Sequence, residues 1–192
     1  MKQSTRITLS VSVLALLFLP LATPADDHAF VGSKKCKMCH LKEYKSWQAT
    51  TMATSFDNLK PGERAEAKKA AGLDPEKDYT QDAACVGCHT TGYGKPGGFV
   101  DIASTPDLAG VGCETCHGPG GTYVKDPYMT LKNKEYKKAE IVAVGMVDTV
   151  SEAQCTGCHN ADSPFVGDDH VFDFAANKDK GTHEAYPLKY EH

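Results

Sequence analysis

No cysteine of this chain stands outside four short motifs. "CKMCH" (36–40), "CVGCH" (85–89), "CETCH" (113–117) and "CTGCH" (155–159) take all 8 cysteines and half of the 8 histidines. Clustered basic residues are also missing. The run 131–138, "LKNKEYKK", is interrupted by Glu135 and reads as a solvated helix face. Because nucleic-acid phosphates are held by grouped Lys and Arg, nucleic acid is excluded as an expected partner. No long periodic apolar segment occurs between residues 73 and 121, a stretch rich in Gly, Pro and Asp. A chain so short of regular structure makes a poor core from its side chains alone. Something else is expected to fill the middle.

The N-terminus supplies a run of apolar residues from 7 to 21, behind Lys2 and Arg6 and ahead of the small residues "TPA". That run is shorter than the about 20 residues a membrane span needs. Residues 1–25 are therefore expected to be a signal peptide, with no membrane anchor after cleavage. No cysteine follows the run, which excludes lipid attachment there. Losing Lys2 and Arg6 with the leader takes the net charge from −4 to −6. Residues 26–192 are long enough for one exported domain, headed by a polar arm over 26–35. The spacing predicts a helix over 41–59 and another between Pro61 and Gly72. Residues 140–150 suit a strand or a helix equally, and a last helix is expected around 172–186. The fold class expected is mainly α with many loops and little β.

In C-x-x-C-H on one helical turn, side chains at i, i+3 and i+4 share a face. Two sulfurs can then reach the two vinyl groups along one edge of a haem while the imidazole reaches its iron, the attachment signature of c-type haem. Zinc also takes Cys and His, but its sites pair two C-x-x-C units or space the histidines apart. Disulfides suit an exported chain yet give no reason for a histidine behind every second cysteine. Four haem c groups are thus the expected cofactor. Cys36, Cys39, Cys85, Cys88, Cys113, Cys116, Cys155 and Cys158 would be thioethers, and His40, His89, His117 and His159 the proximal iron ligands. The porphyrins then supply much of the core.

Beyond the motifs, "KKCKMCH" followed by Ser46-Trp47, "LDPEKDYTQDAACVGCHTTGYGKPGGF", "LAGVGCETCHGPG" and a terminal "THEAY" resemble the tetrahaem cytochrome c-554 family. The resemblance implies a compact, mainly helical multihaem fold with closely packed haem pairs, and electron transfer between redox partner proteins. It extends to outer-surface tetrahaem cytochromes of the OmcE type, which polymerise into extracellular filaments. Two positions at which the family carries a distal histidine differ here: one reads Met52, and the other falls in "KDPYM" after the third motif. His183 matches the family's C-terminal distal ligand.

Four histidines remain for four irons: His28, His170, His183 and His192. They are the distal candidates, with Met52 and Met129 as competitors. Mostly bis-histidine irons would carry electrons and leave no position for substrate, so an electron carrier rather than an enzyme is expected, in the periplasm or at the cell surface. The alternatives are a monomeric periplasmic shuttle, a filament subunit in which His28 ligates a neighbour's haem, and a small nitrogen-oxide reductase at a five-coordinate iron on His89. Against the last, no motif replaces its histidine with lysine. Intact mass of the secreted protein is expected to equal the chain from about Asp26 plus four haems, retained on denaturation; zinc or free thiols in their place would end this reading.

Overall fold

In the computed structural model, residues 28–161, 163 and 172–188 are described; the expected leader, His170 and His192 lie outside the described residues. The described chain forms α1 (Ser33–Cys36), α2 (Leu41–Gln48), a 3-10 turn (Ser55–Leu59), α3 (Ala65–Ala70) and α4 (Ala83–His89). A second 3-10 turn (Pro106–Leu108), α5 (Cys113–His117), α6 (Lys138–Ala143), α7 (Glu152–Thr156) and α8 (Phe174–Asn177) follow. Among the described residues there is no sheet, only an isolated antiparallel bridge between Thr90 and Ala109. The mainly helical, loop-rich class is as expected.

The helices are shorter than the sequence predicts, for local reasons. After α2 the Thr50 hydroxyl donates to the Trp47 carbonyl at 2.7 Å and accepts from Ala53 N at 3.3 Å. A side chain that takes over backbone bonding ends a helix, and the Met52 carbonyl is left to accept from Val111 N at 3.0 Å. The expected helix over 41–59 is therefore α2 plus a 3-10 turn. Likewise α3 begins not at Pro61 but after Arg64, whose φ of 53° is left-handed. Gly72 ends it as expected, at φ 71°. Residues 131–137 are not helical, and α6 begins at Lys138. The 140–150 run resolves as the end of α6 and a loop. Of the expected last helix only α8 forms, capped by Asp173 accepting from Ala176 N at 3.0 Å.

One apolar cluster stands out: Phe56, Leu59, Tyr79, Val86, Phe99 and Leu108, with Phe30, Leu73, Cys85 and Ala109 packed against it. The rings of Phe56 and Phe99 meet at 5.4 Å between centres. This cluster surrounds α4, the helix of the second motif.

The described part of the N-terminal arm is docked on the body of the chain. Glu114 is only 2% exposed. Its carboxylate accepts from Val31 N at 2.9 Å, Gly32 N at 2.7 Å and Gly120 N at 2.7 Å. Ala29 accepts from Gly121 N at 2.8 Å. The Phe30 ring lies so close over Gly92 that a Cβ there would come within 2.7 Å of it, and Gly92 has φ +72° besides. Glu114→Ala leaves three buried or part-buried N–H groups without this acceptor. It is expected to lower the unfolding free energy of the haem-loaded protein by at least about 3 kcal/mol, read from the denaturant midpoint, with Glu114→Gln in between.

Candidate haem centres

Each motif is a single helical turn. In the first, Cys36 O accepts from Cys39 N at 3.1 Å and His40 N at 2.9 Å; in the fourth, Cys155 O accepts from Cys158 N at 3.1 Å and His159 N at 2.9 Å. The second and third motifs lie in α4 and α5. Both cysteines and the histidine of each motif thus share one turn, as attachment along a porphyrin edge requires. No disulfide joins any of the eight cysteines, and among the described residues no three His, Cys, Asp or Glu side chains converge to hold a bare metal ion.

The sulfurs also give the motifs an order in space that the sequence does not show. Cys36 and Cys113 lie against each other, and this contact together with burial pushes the Cys36 thiol up. Cys116 is pushed up first by burial and then by the neighbouring Cys155. Cys158 is pushed up to about 12 by burial, then by the charge and hydrogen bond of Cys88. Cys113 N donates to Ser33 Oγ ahead of the first motif, Gln154 Nε2 donates to the Cys116 carbonyl at 3.1 Å, and Gly112 N donates to Thr91 Oγ1 at 2.8 Å, so the third motif adjoins the first, the fourth and the second. Gly157 and Asn160 line the cavity of Cys85 and Cys88, which sets the fourth motif beside the second as well.

The motif histidines are oriented by one ring nitrogen or by stacking. His89 Nδ1 lies 2.7 Å from the Ser55 carbonyl, which as acceptor places the proton on Nδ1 and leaves Nε2 for a metal, the usual support of a ligating imidazole. His159 stacks on Phe172 with ring centres 4.7 Å apart and planes at 21°. His117 is lowered below the usual histidine range by burial and then by the charge of His183, which keeps it neutral.

The structure brings one distal candidate to a proximal histidine. His183 and His117 have ring centres 6.1 Å apart. Metal–imidazole bonds run about 2 Å, so two imidazoles facing one metal have centres about 6 Å apart; the pair fits a shared iron. His183 Nδ1 is spent on the Glu184 carbonyl at 2.8 Å, leaving Nε2 for that position. Glu184 N in turn donates to Ser46 Oγ at 2.9 Å, and Trp47 Nε1 donates to the Val111 carbonyl at 2.9 Å. The Ser-Trp pair and the terminal "THEAY" thus meet beside the third motif.

His28 packs on Gly145, where a Cβ would come within 3.1 Å of its Nδ1, and Gly145 O in turn lies against Gly118. It sits near the segment that follows the third motif, inside its own chain. Met52 is half-buried at the break after α2 and Met129 N donates to the Tyr123 carbonyl at 2.9 Å. Around α4 lies a cavity of ≈ 590 Å³ whose lining includes Cys85, Cys88, His89, Arg64, Lys68 and Tyr79; apart from His89 itself, none of the described lining residues is His or Met. Sequence reasoning passed over Lys68 and Glu114, because a charged residue beside alanines or inside a motif carries no mark of burial.

Three comparisons bear on these centres. The family described as "Cytochrome c554 and c-prime" matches residues 35–118. Cytochrome c-554 of Nitrosomonas europaea is 41% identical over 140 residues, 70% of this chain and 59% of that protein, so the match spans less than two thirds of its length. The solved reduced state of cytochrome c554 from the same organism superposes with a TM-score of 0.72 at 35% identity, covering 84% of this chain and 88% of the other.

Replacing His183 with Ala is expected to convert one of the four haems from six-coordinate low spin to five-coordinate high spin, while mass still shows four haems. An unchanged low-spin spectrum would remove His183 as a ligand.

Proposed function

The chain belongs to the cytochrome c554 family of tetrahaem c-type cytochromes, and from that membership we propose that it is an exported carrier passing electrons through its four haems. The observation that carries this reading is that each of the four C-x-x-C-H motifs is a single helical turn holding two cysteines and a histidine together. Bound haem supplies an iron that alternates between the ferric and ferrous states. The chain's residues do the rest. Eight cysteines fix the porphyrin edges, and His40, His89, His117 and His159 hold the irons from one side. His183 faces His117 at a distance suited to closing that iron's coordination. His28, His170 and His192 are the remaining distal candidates.

Redox partner proteins in the periplasm are the expected donor and acceptor. Among the described residues no helix is long and apolar enough to cross a membrane. Assembly into a filament through His28 is the less supported form of this function. The arm bearing His28 is tied to its own body by Glu114, and the ring rests on Gly145 of the same chain.

One observation favours a second reading. The ≈ 590 Å³ cavity lined by His89 shows no second His and no Met among its described lining residues, and Arg64 and Lys68 give it positive charge. An iron open there could take a small nitrogen oxide. Potentiometric and spin-state titration of the secreted protein distinguishes the two. A carrier is expected to show four reversible one-electron components, all low spin, with no consumption of added nitrogen oxide. One high-spin haem in four, lost on adding the nitrogen oxide with turnover of it, establishes the second reading.

A further inference from the structure

Lys68, on α3, is only 3% exposed. Lysine is almost never fully buried without a partner. Its ammonium donates to the Lys60 carbonyl at 2.6 Å and stands 5.4 Å from the centre of the Tyr79 ring. Both partners are neutral. Tyr79 is held in turn, its hydroxyl donating to the Asp74 carbonyl at 3.1 Å. A carbonyl and a ring face fix the ammonium in place without cancelling its charge.

Lys68 lines the same cavity as Cys85, Cys88 and His89. The other charges nearby are more exposed. Lys77 also stands over the Tyr79 ring, at 4.6 Å, but is bridged to Asp82 at 3.3 Å, with its side chain 53% exposed. Arg64 is exposed, and Asp78, which feels Lys68, is exposed too. Water and salt screen such surface charges; a buried one is screened far less.

We propose that Lys68 is a fixed, buried positive charge that raises the reduction potential of the haem carried by Cys85, Cys88 and His89. The inference rests on haem occupying that site. Reduction adds one electron to the iron, and a cation held nearby in a medium of low effective dielectric favours the form with less positive charge. Lys68 acts through the field and is not a ligand.

The test is spectropotentiometry of the haem-loaded protein, with intact mass run alongside to confirm four haems in every variant. His89→Met, which changes the axial donor, identifies the component that belongs to this site. In Lys68→Met that component alone is expected to move to lower potential, its oxidised-to-reduced ratio at fixed ambient potential rising about tenfold, which is about 59 mV for one electron. Lys68→Arg restores it, and Lys77→Met moves it much less. Should the Met variant lose its haems, Lys68→Gln, which can still donate to the Lys60 carbonyl, carries the same expectation. The proposal is overturned if Lys68→Met or Lys68→Gln leaves all four components in place with four haems present, or if Lys68→Arg lowers the component as far as Met does. A wild type without four haems would instead overturn the carrier reading beneath it.

Discussion

A carboxylate taken out of water must be met by donors on every side, and in this protein that requirement fixes one half of the fold. Glu114 stands between the two cysteines of the third motif and accepts from the backbone of Val31, Gly32 and Gly120. Such charge-assisted bonds are about twice as strong as neutral ones, and losing one partner would leave the others stranded in the interior. The arm leads directly into Cys36, and Glu114 follows directly on Cys113, so the clamp sets the first and third motifs side by side. Around it there is no slack. Cys113 N donates to Ser33 Oγ at 3.2 Å, and a Cβ on Gly112 would fall within 2.6 Å of that same oxygen. The adjacency of Cys36 and Cys113 is a product of this clamp, made far from either thiol's own chemistry.

The other half rests on apolar packing. Phe56, Leu59, Tyr79, Val86, Phe99 and Leu108 close around α4, so the second motif has a side-chain core of its own. The third and fourth motifs have Glu114, Tyr123, Phe172 and backbone bonds such as Val147 N to the His117 carbonyl at 2.9 Å. There bound porphyrins would be the main apolar material, and coordination across His117 and His183 would do the joining that a hydrophobic cluster does around α4.

What could be read from the sequence divides along the same physical line. A C-x-x-C-H motif is a local device whose geometry is contained in five residues, and each of the four is a helical turn in the structure. The helical class followed from local periodicity as well. Boundaries did not, because they turn on single side chains: Thr50 ends α2 by bonding Trp47, and Arg64 starts α3 from a left-handed conformation. Nor could the docking of the arm be foreseen, since its cause lies some eighty residues away at Glu114. Lys68 and Lys69 are adjacent letters in a run of alanines, and only the packing of Tyr79 buries one and leaves the other outside. Spatial order among the motifs was invisible for the same reason.

That spatial order bears on how the protein is made. The ribosome releases the motifs first, second, third, fourth, whereas the folded neighbours are first with third and fourth with second. The first pair cannot meet until the chain through Cys113 exists, and the loop it closes encloses the whole second motif. Closing so long a loop costs entropy before any contact is gained, and folds built on non-local contacts form slowly. The residues that close around α4 all lie inside that loop, so the second motif can gather its own core before the first and third motifs are brought together.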